Sequence, residues 1–229
     1  MIRSFLIILL FVPCFGFGQG VGKVWTEFGV KAKISDKFDA GVEITNRYGV
    51  YGLETFFPQL SVRYKLAKFI RVSIDYRLIF DKDEFTNYLY SNRLNFNTDL
   101  KHSFGRLNLA GRIRYQYSFN SLRNNIYYDA EFDQAIRIKP QISYDIKGSD
   151  ITPVASTEIF YNPQYMPGGK QFTKLRSFIG LEYELAIGKK KNKQQFDVSL
   201  GYILDKELNT AFPETKHILN TSITYLLKN

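Results

Sequence analysis

The sequence has one cysteine, two histidines and no long apolar run beyond its N-terminal segment. The lone Cys14 lies in a segment predicted to be removed on export, so disulfides and cysteine chemistry are excluded from the mature chain. Acylation of Cys14 would require small residues before it, and Phe11-Val12-Pro13 does not supply them. No later stretch approaches the roughly 20 apolar residues of a spanning helix. Any insertion into a membrane must therefore use strands.

The N-terminal segment has the three parts of an export signal. Arg3 supplies a basic start, 5–12 is an apolar core, and Gly16-Phe17-Gly18 is a small-x-small ending. We predict a secretory signal peptide over 1–18. No composition shift marks a linker after it, so 19–229 is predicted to form one domain.

What the sequence does contain is a two-residue alternation of apolar and polar side chains. In the first such segment the even positions are Val24, Thr26, Phe28, Val30, Ala32 and Ile34, and the odd positions are Trp25, Glu27, Gly29, Lys31 and Lys33. The chain also holds 16 tyrosines and 20 phenylalanines, which suit strands and membrane-interface girdles. We predict an all-β fold, an antiparallel transmembrane β-barrel of 10 to 12 strands with short periplasmic turns and longer outer loops.

The alternation defines eleven segments. They span 23–34, 38–48, 58–67, 69–80, 92–101, 105–119, 133–146, 151–162, 171–187, 194–205 and 216–227. Short connections alternate with long ones, the long ones lying near 49–57, 81–91, 120–132, 162–170 and 206–215. Eleven strands would start the first strand on the outer side, whereas a periplasmic start is expected. We therefore favour twelve strands, one hidden in 124–132, slightly over ten. Pro140 predicts a bulge or kink.

The polar face of nearly every segment carries charge, and we expect this face to line the lumen. The residues predicted to form a lumen network are Glu27, Arg47, Arg77, Arg93, Arg112, Arg114, Arg137, Glu158 and Arg176. In a narrow bore these side chains would pair and brace the wall. The alternative is a selective polar pore, for which the arginine excess predicts a preference for anions.

The formal net charge of +9 comes from 31 basic and 22 acidic residues. The basic residues are spread along the strands without a recognition motif, so nucleic acid is not expected as a partner. We expect contact with outer-membrane lipid and lipopolysaccharide, and passage of small anionic solutes. No cofactor or metal site is predicted, because the acids at 81–84 lack calcium-loop spacing. The oligomeric state stays open.

Two other functions compete with a non-enzymatic barrel in the outer membrane. A lipid-modifying hydrolase would need a histidine base near a nucleophilic serine. The pair His102-Ser103, which we place in a short turn, and His217 at the outer rim are the candidates. A soluble periplasmic β-sandwich is the other alternative. We expect no catalytic residue.

Short matches across the mature chain resemble one family. They are Trp25-Thr26-Glu27, Arg47, Tyr76-Arg77, Arg93-Leu94, Arg112, Arg114, Glu158, Leu175-Arg176, Gly180, Tyr183, Gly201-Tyr202, His217-Ile218-Leu219 and Tyr225. This set resembles the domain of unknown function 2490 family of bacterial outer-membrane proteins. The chain departs from the family's Arg-x-Glu-x-x-Arg run by having Arg114 where the acid is expected. The resemblance implies an outer-membrane β-barrel and no assigned activity.

Overall fold

The computed structural model describes residues 21–82, 88–120, 134–164, 169–187 and 194–227, so the predicted signal peptide over 1–18 lies outside the described residues. The described residues form strands joined by turns and loops. The strands are β1 (Val21–Lys33), β2 (Phe38–Gly49), β3 (Gly52–Lys65), β4 (Ile70–Lys82), β5 (Tyr88–Phe104), β6 (Leu107–Asn120), β7 (Gln134–Tyr144), β8 (Ile151–Asn162), β9 (Gln171–Ile187), β10 (Gln194–Glu207) and β11 (Thr215–Leu227). Among the described residues there is no helix of the length and hydrophobicity needed to cross a membrane.

The strands form one closed barrel in chain order. Each strand pairs antiparallel with the next, and β1 pairs with β11 in parallel, with Val24 opposite Leu219 and Ala32 opposite Leu227. The all-β barrel fold is therefore confirmed. The preference for twelve strands is wrong, because the described residues close the barrel with eleven. The hidden strand proposed in 124–132 lies outside the described residues, and β6 pairs directly with β7.

The apparent conflict at the first strand has a physical explanation. The parallel pair places the start of β1 beside the start of β11 at Thr215. We call this end the long-loop end. Here β4, β6, β8 and β10 end and β5, β7, β9 and β11 begin. The opposite end, where β1, β3, β5, β7 and β9 end, is the short-turn end.

Two strands are longer than the alternation predicted. The long connection expected at 49–57 is instead a turn at Val50-Tyr51, followed by Gly52 with a φ of 89°. Glycine adopts this positive φ without steric cost, which permits the tight hairpin. Strand β5 continues through His102 and Ser103 to Phe104, so the turn predicted at 102–104 is wrong. The backbone pairing continues here beyond the segment in which apolar and polar residues alternate.

Apolar side chains cover the outer face of the barrel. Leu60, Ile74, Ile113 and Ile179 are each more than half exposed. Aromatic rings contact one another toward both ends of the barrel. The ring pairs are Phe38 with Tyr64 (4.8 Å) and Phe196 with Tyr225 (5.0 Å) near the short-turn end, and Phe56 with Phe80 (4.5 Å) and Tyr161 with Phe172 (5.5 Å) near the long-loop end.

The predicted irregularity at Pro140 is not a bulge. The β7–β8 register is the same on both sides of it, although the pairing is interrupted between Ile138 and Gln141. The register shifts instead beside Arg47 on β2 and beside Phe160 on β8. A bulge adds one residue to one strand and redirects the side chains around it.

Strands β9 and β10 approach closely where two glycines lie opposite each other. A methyl group added to Gly180 would lie 2.6 Å from the carbonyl oxygen of Leu200 and 2.6 Å from the ring of Phe178. The same ring covers Gly201, the partner of Gly180. Since the backbone itself blocks a side chain here, moving Phe178 alone would not make room for one.

We predict that Gly180→Val destabilises the barrel by about 1–3 kcal/mol, the range typical of an overpacked interior. The measurement is the urea midpoint of unfolding for the refolded chain over 19–229. Gly111→Val is the matched control, because a Cβ at this strand glycine meets nothing within 4 Å. Equal midpoints for the two variants would contradict the packing argument.

Candidate functional site

The barrel encloses a cavity of about 500 Å³ to which all eleven strands contribute side chains. Eleven basic and six acidic side chains line it. The lining includes every residue predicted for the lumen network, namely Glu27, Arg47, Arg77, Arg93, Arg112, Arg114, Arg137, Glu158 and Arg176. Their placement follows from strand parity, because alternate side chains of a strand point to opposite faces.

A two-point ion pair in the wall joins β7 to β8. Arg137 donates from Nε and Nη2 to the two carboxylate oxygens of Glu158, at 3.0 and 2.7 Å. Both side chains are buried, and Arg137 also donates to Gln116 at 3.3 Å. The paired geometry gives two charge-assisted hydrogen bonds, which fix both side chains against the wall.

A second buried cluster of hydrogen bonds contains Arg114, the residue that departs from the family pattern. Arg114 donates to Asn97 at 2.5 Å and to Asp75 at 3.3 Å, while Asn97 donates to Asp75 at 2.8 Å. The three side chains come from β6, β5 and β4. The carboxylate partner of Arg114 therefore comes from two strands away, and the pairing does not need an acid within β6.

Two more arginines of the predicted network have carboxylate partners. Arg112 donates to Asp99 at 2.7 Å, and Arg176 donates to Asp205 at 2.7 Å. Lys174 lies 4.0 Å from the same Asp205 oxygen. Together with Arg114 and Arg137, these pairs neutralise four of the predicted arginines.

The predicted network residue Glu27 lies on the short-turn side of this arrangement. It borders both the main cavity and a second cavity of about 250 Å³. Glu182, Glu184 and Asp197 also line the second cavity, with Lys31 as a basic neighbour. The lumen is therefore more acidic toward this end.

Three aromatic rings that line the cavity each contact two arginines. The ring centroid of Trp25 lies 4.2 Å from the guanidinium carbon of Arg47 and 4.8 Å from that of Arg176. Phe57 and Phe160 each make the same kind of double contact. Phe57 lies 5.0 Å from Arg47 and 4.7 Å from Arg77, and Phe160 lies 5.2 Å from Arg176 and 4.3 Å from Arg137.

We call this series the arginine–aromatic row. Its members in spatial order are Arg77, Phe57, Arg47, Trp25, Arg176, Phe160 and Arg137. Each contact places a cation against the negative face of a ring, which holds the cation without neutralising it. The three rings are not among the lumen residues predicted from the sequence, although each shares the strand parity of the charged side chains.

Two arginines of the row lack a carboxylate partner. Within the described part of the chain, neither Arg47 nor Arg77 forms an ion pair. Arg77 donates from Nε to Gln59. The Nε of Arg47 is buried without an acceptor, and so is the indole Nε1 of Trp25. The positive charge of these two arginines is therefore held by rings and an amide.

Arg93, the remaining predicted arginine, lies on β5 beside β6. Its Nε donates to the hydroxyl of Ser118 at 3.0 Å. It thus contributes charge to the same cavity from the wall adjoining Arg77, its cross-strand partner on β4.

The residues considered for hydrolysis do not assemble a nucleophile and base. His102 and Ser103 are adjacent on β5, so their side chains point to opposite faces. Ser103 lies 2.5 Å from Asn108, and the His102 ring packs against Phe104. His217 bonds the hydroxyl of Tyr202 through Nδ1. The described residues contain no group of three or more metal-ligating side chains positioned for an ion.

We predict that Glu158→Gln destabilises the barrel by about 3–5 kcal/mol, because it leaves Arg137 buried without its counter-charge. Asp36→Asn is the control, since its ion pair with Lys33 is exposed and screened by water, and its loss should hardly move the midpoint. Urea midpoints of the refolded variants test both. A loss at Glu158 no larger than at Asp36 would show that the buried pair does not brace the wall.

Comparison with known proteins places the chain in a family. The family model described as "Protein of unknown function (DUF2490)" matches residues 22–216, which covers β1 to the start of β11. No curated protein and no solved structure matches the chain. The chain therefore belongs to the DUF2490 family of proteins of unknown function.

Proposed function

We propose that this protein is a non-enzymatic barrel of the bacterial outer membrane whose lumen is a narrow, anion-selective passage. The observation that carries the proposal is the charge of the cavity. Eleven basic side chains face six acidic ones, and the arginines at 47 and 77 have no carboxylate partner in the described chain. Uncompensated positive charge inside a low-dielectric wall attracts anions and repels cations.

The outer face supports insertion into a membrane. Apolar side chains such as Leu60, Ile74, Ile113 and Ile179 stay exposed, and no element among the described residues covers them. The aromatic pairs toward both ends match the two girdles of outer-membrane barrels, where rings lie at headgroup level. We infer that lipid and lipopolysaccharide are the outer partners of this face.

The interior supports a narrow passage better than a wide pore. The four carboxylate-paired arginines line the cavity and are tied to acids of the wall, in keeping with the bracing function considered from the sequence. Arg47 and Arg77 add charge without a matching acid. Bracing and selectivity are thus assigned to different arginines of one lumen.

We predict that the refolded chain over 19–229 forms discrete conductance steps in a planar bilayer, with a reversal potential that indicates anion preference. Arg77→Gln should lower the anion-to-cation permeability ratio at least about threefold, because it removes an unpaired lumen charge. Arg106→Gln is the matched control, since Arg106 lies in the turn between β5 and β6.

Cation preference would contradict the proposal. Absence of conductance from a barrel that migrates as folded protein would favour a structural wall protein. An unchanged permeability ratio in Arg77→Gln, with conductance intact, would assign selectivity to other lumen charges.

A further inference from the structure

We propose that Arg47 and Arg77, with Trp25 and Phe57 beside them, form a binding site for one oxyanion group of a small solute. The group is a carboxylate or a phosphoryl group. This inference rests on the proposed function in that the solute reaches the site through the lumen. The proposed function requires only a lumen of net positive charge, whereas this inference assigns anion binding to named residues.

The first step is the environment of Arg47. Its guanidinium carbon lies 4.2 Å from the centroid of Trp25 and 5.0 Å from that of Phe57. No hydrogen-bond acceptor for it occurs among the described residues, and its Nε is buried. A guanidinium has five N–H donors in a fixed fork, and aromatic rings are poor acceptors for them. Arg47 is thus positioned by rings and keeps its donors for another partner.

The second step is Arg77, which shares the Phe57 ring with Arg47. Its guanidinium carbon lies 4.7 Å from the ring centroid, and its Nε donates to Gln59. The described residues provide no carboxylate within ion-pair distance of its terminal nitrogens. Gln59 and Phe57 therefore orient the Arg77 guanidinium but leave its terminal N–H groups without a carboxylate acceptor.

The third step is the contrast with the other arginines of the same cavity. Arg112, Arg114, Arg137 and Arg176 each contact a carboxylate within 3.3 Å. Four of the eight arginines that line the cavity therefore have a carboxylate partner among the described residues, whereas Arg47 and Arg77 do not. Burying a cation without a counter-charge is costly unless an anion is bound there. An oxyanion is the ligand that two unsatisfied guanidinium groups bind most strongly.

Neighbouring charges favour the same ligand. Arg47 shares the Trp25 ring with Arg176 and the Phe57 ring with Arg77, so two further cations lie near its guanidinium. Asp205 already neutralises Arg176. A cavity of about 500 Å³ accommodates a small solute and falls within the range of small-molecule sites. The site thus suits a small carboxylate or phosphate compound.

The chain provides its own reporter for this site. Trp25 is its one tryptophan, and it contacts the Arg47 guanidinium directly. The experiment titrates the refolded chain in detergent with sodium phosphate and, separately, with sodium succinate, and follows Trp25 emission. Sodium chloride at matched ionic strength corrects for screening. We expect a saturable emission change with phosphate, succinate or both, and the response identifies which oxyanion source the site accepts.

Variants distinguish binding at Arg47 and Arg77 from attraction of anions by the total positive charge of the lumen. Arg47→Gln and Arg77→Gln should each weaken the apparent affinity at least about tenfold, which corresponds to one lost charge-assisted contact. Arg112→Gln removes the same charge from the same cavity, but at a position paired with Asp99. It should stay within about threefold of the parent chain. Far-UV circular dichroism and gel migration confirm that each variant is folded.

Two results would overturn the site. One is an emission change with neither anion beyond the chloride control, and the other is an equal loss of affinity in Arg112→Gln and Arg47→Gln. The readout is independent of conduction, so the two proposals can fail separately. Saturable binding without conductance would keep the site and refute the passage, whereas anion-selective conductance without saturable binding would do the reverse.

Discussion

An odd number of strands in up-and-down order can close into a barrel only if one neighbouring pair runs parallel. Here that pair is β1 with β11. The closure places Trp25 opposite Asn220 on one side and opposite Arg47 on the other. From this position its ring contacts arginines of β2 and β9. The arginine–aromatic row, and with it the charge of the cavity, therefore depends on the first and last strands meeting.

The closed wall also determines how the interior charge is distributed. Alternate side chains of every strand point into one narrow cavity. Each arginine in that cavity must therefore pair with an acid, pack against an aromatic ring or bind an anion. Arg114, Arg137 and their carboxylate partners follow the first course. Arg47 and Arg77 follow the second, with Trp25 and Phe57 as shields. Cation–aromatic contact stabilises these charges and leaves their donors available.

Much of this arrangement is predictable from the sequence, because strand parity is a local property. The eleven alternating segments correspond to the eleven strands, and all nine predicted lumen residues line the cavity. Closure is not local. The alternation alone argues against eleven strands, because it starts the first strand at the long-loop end. In the closed barrel that start is the direct consequence of the parallel pair. The ends of β3 and β5 were misplaced because pairing there extends past the apolar alternation.

Parity also fails at the bulges, and this limits what the sequence can reveal of the candidate site. Thr173 and Lys174 both line the cavity although they are adjacent, because β9 holds an extra residue where β8 shifts register beside Phe160. The signal that could have identified the row is an aromatic residue on a charged face, as at Trp25. Whether an arginine is neutralised depends on which carboxylates the other strands bring within its reach. Asp75 reaches Arg114 from two strands away, and no spacing within either strand predicts that contact.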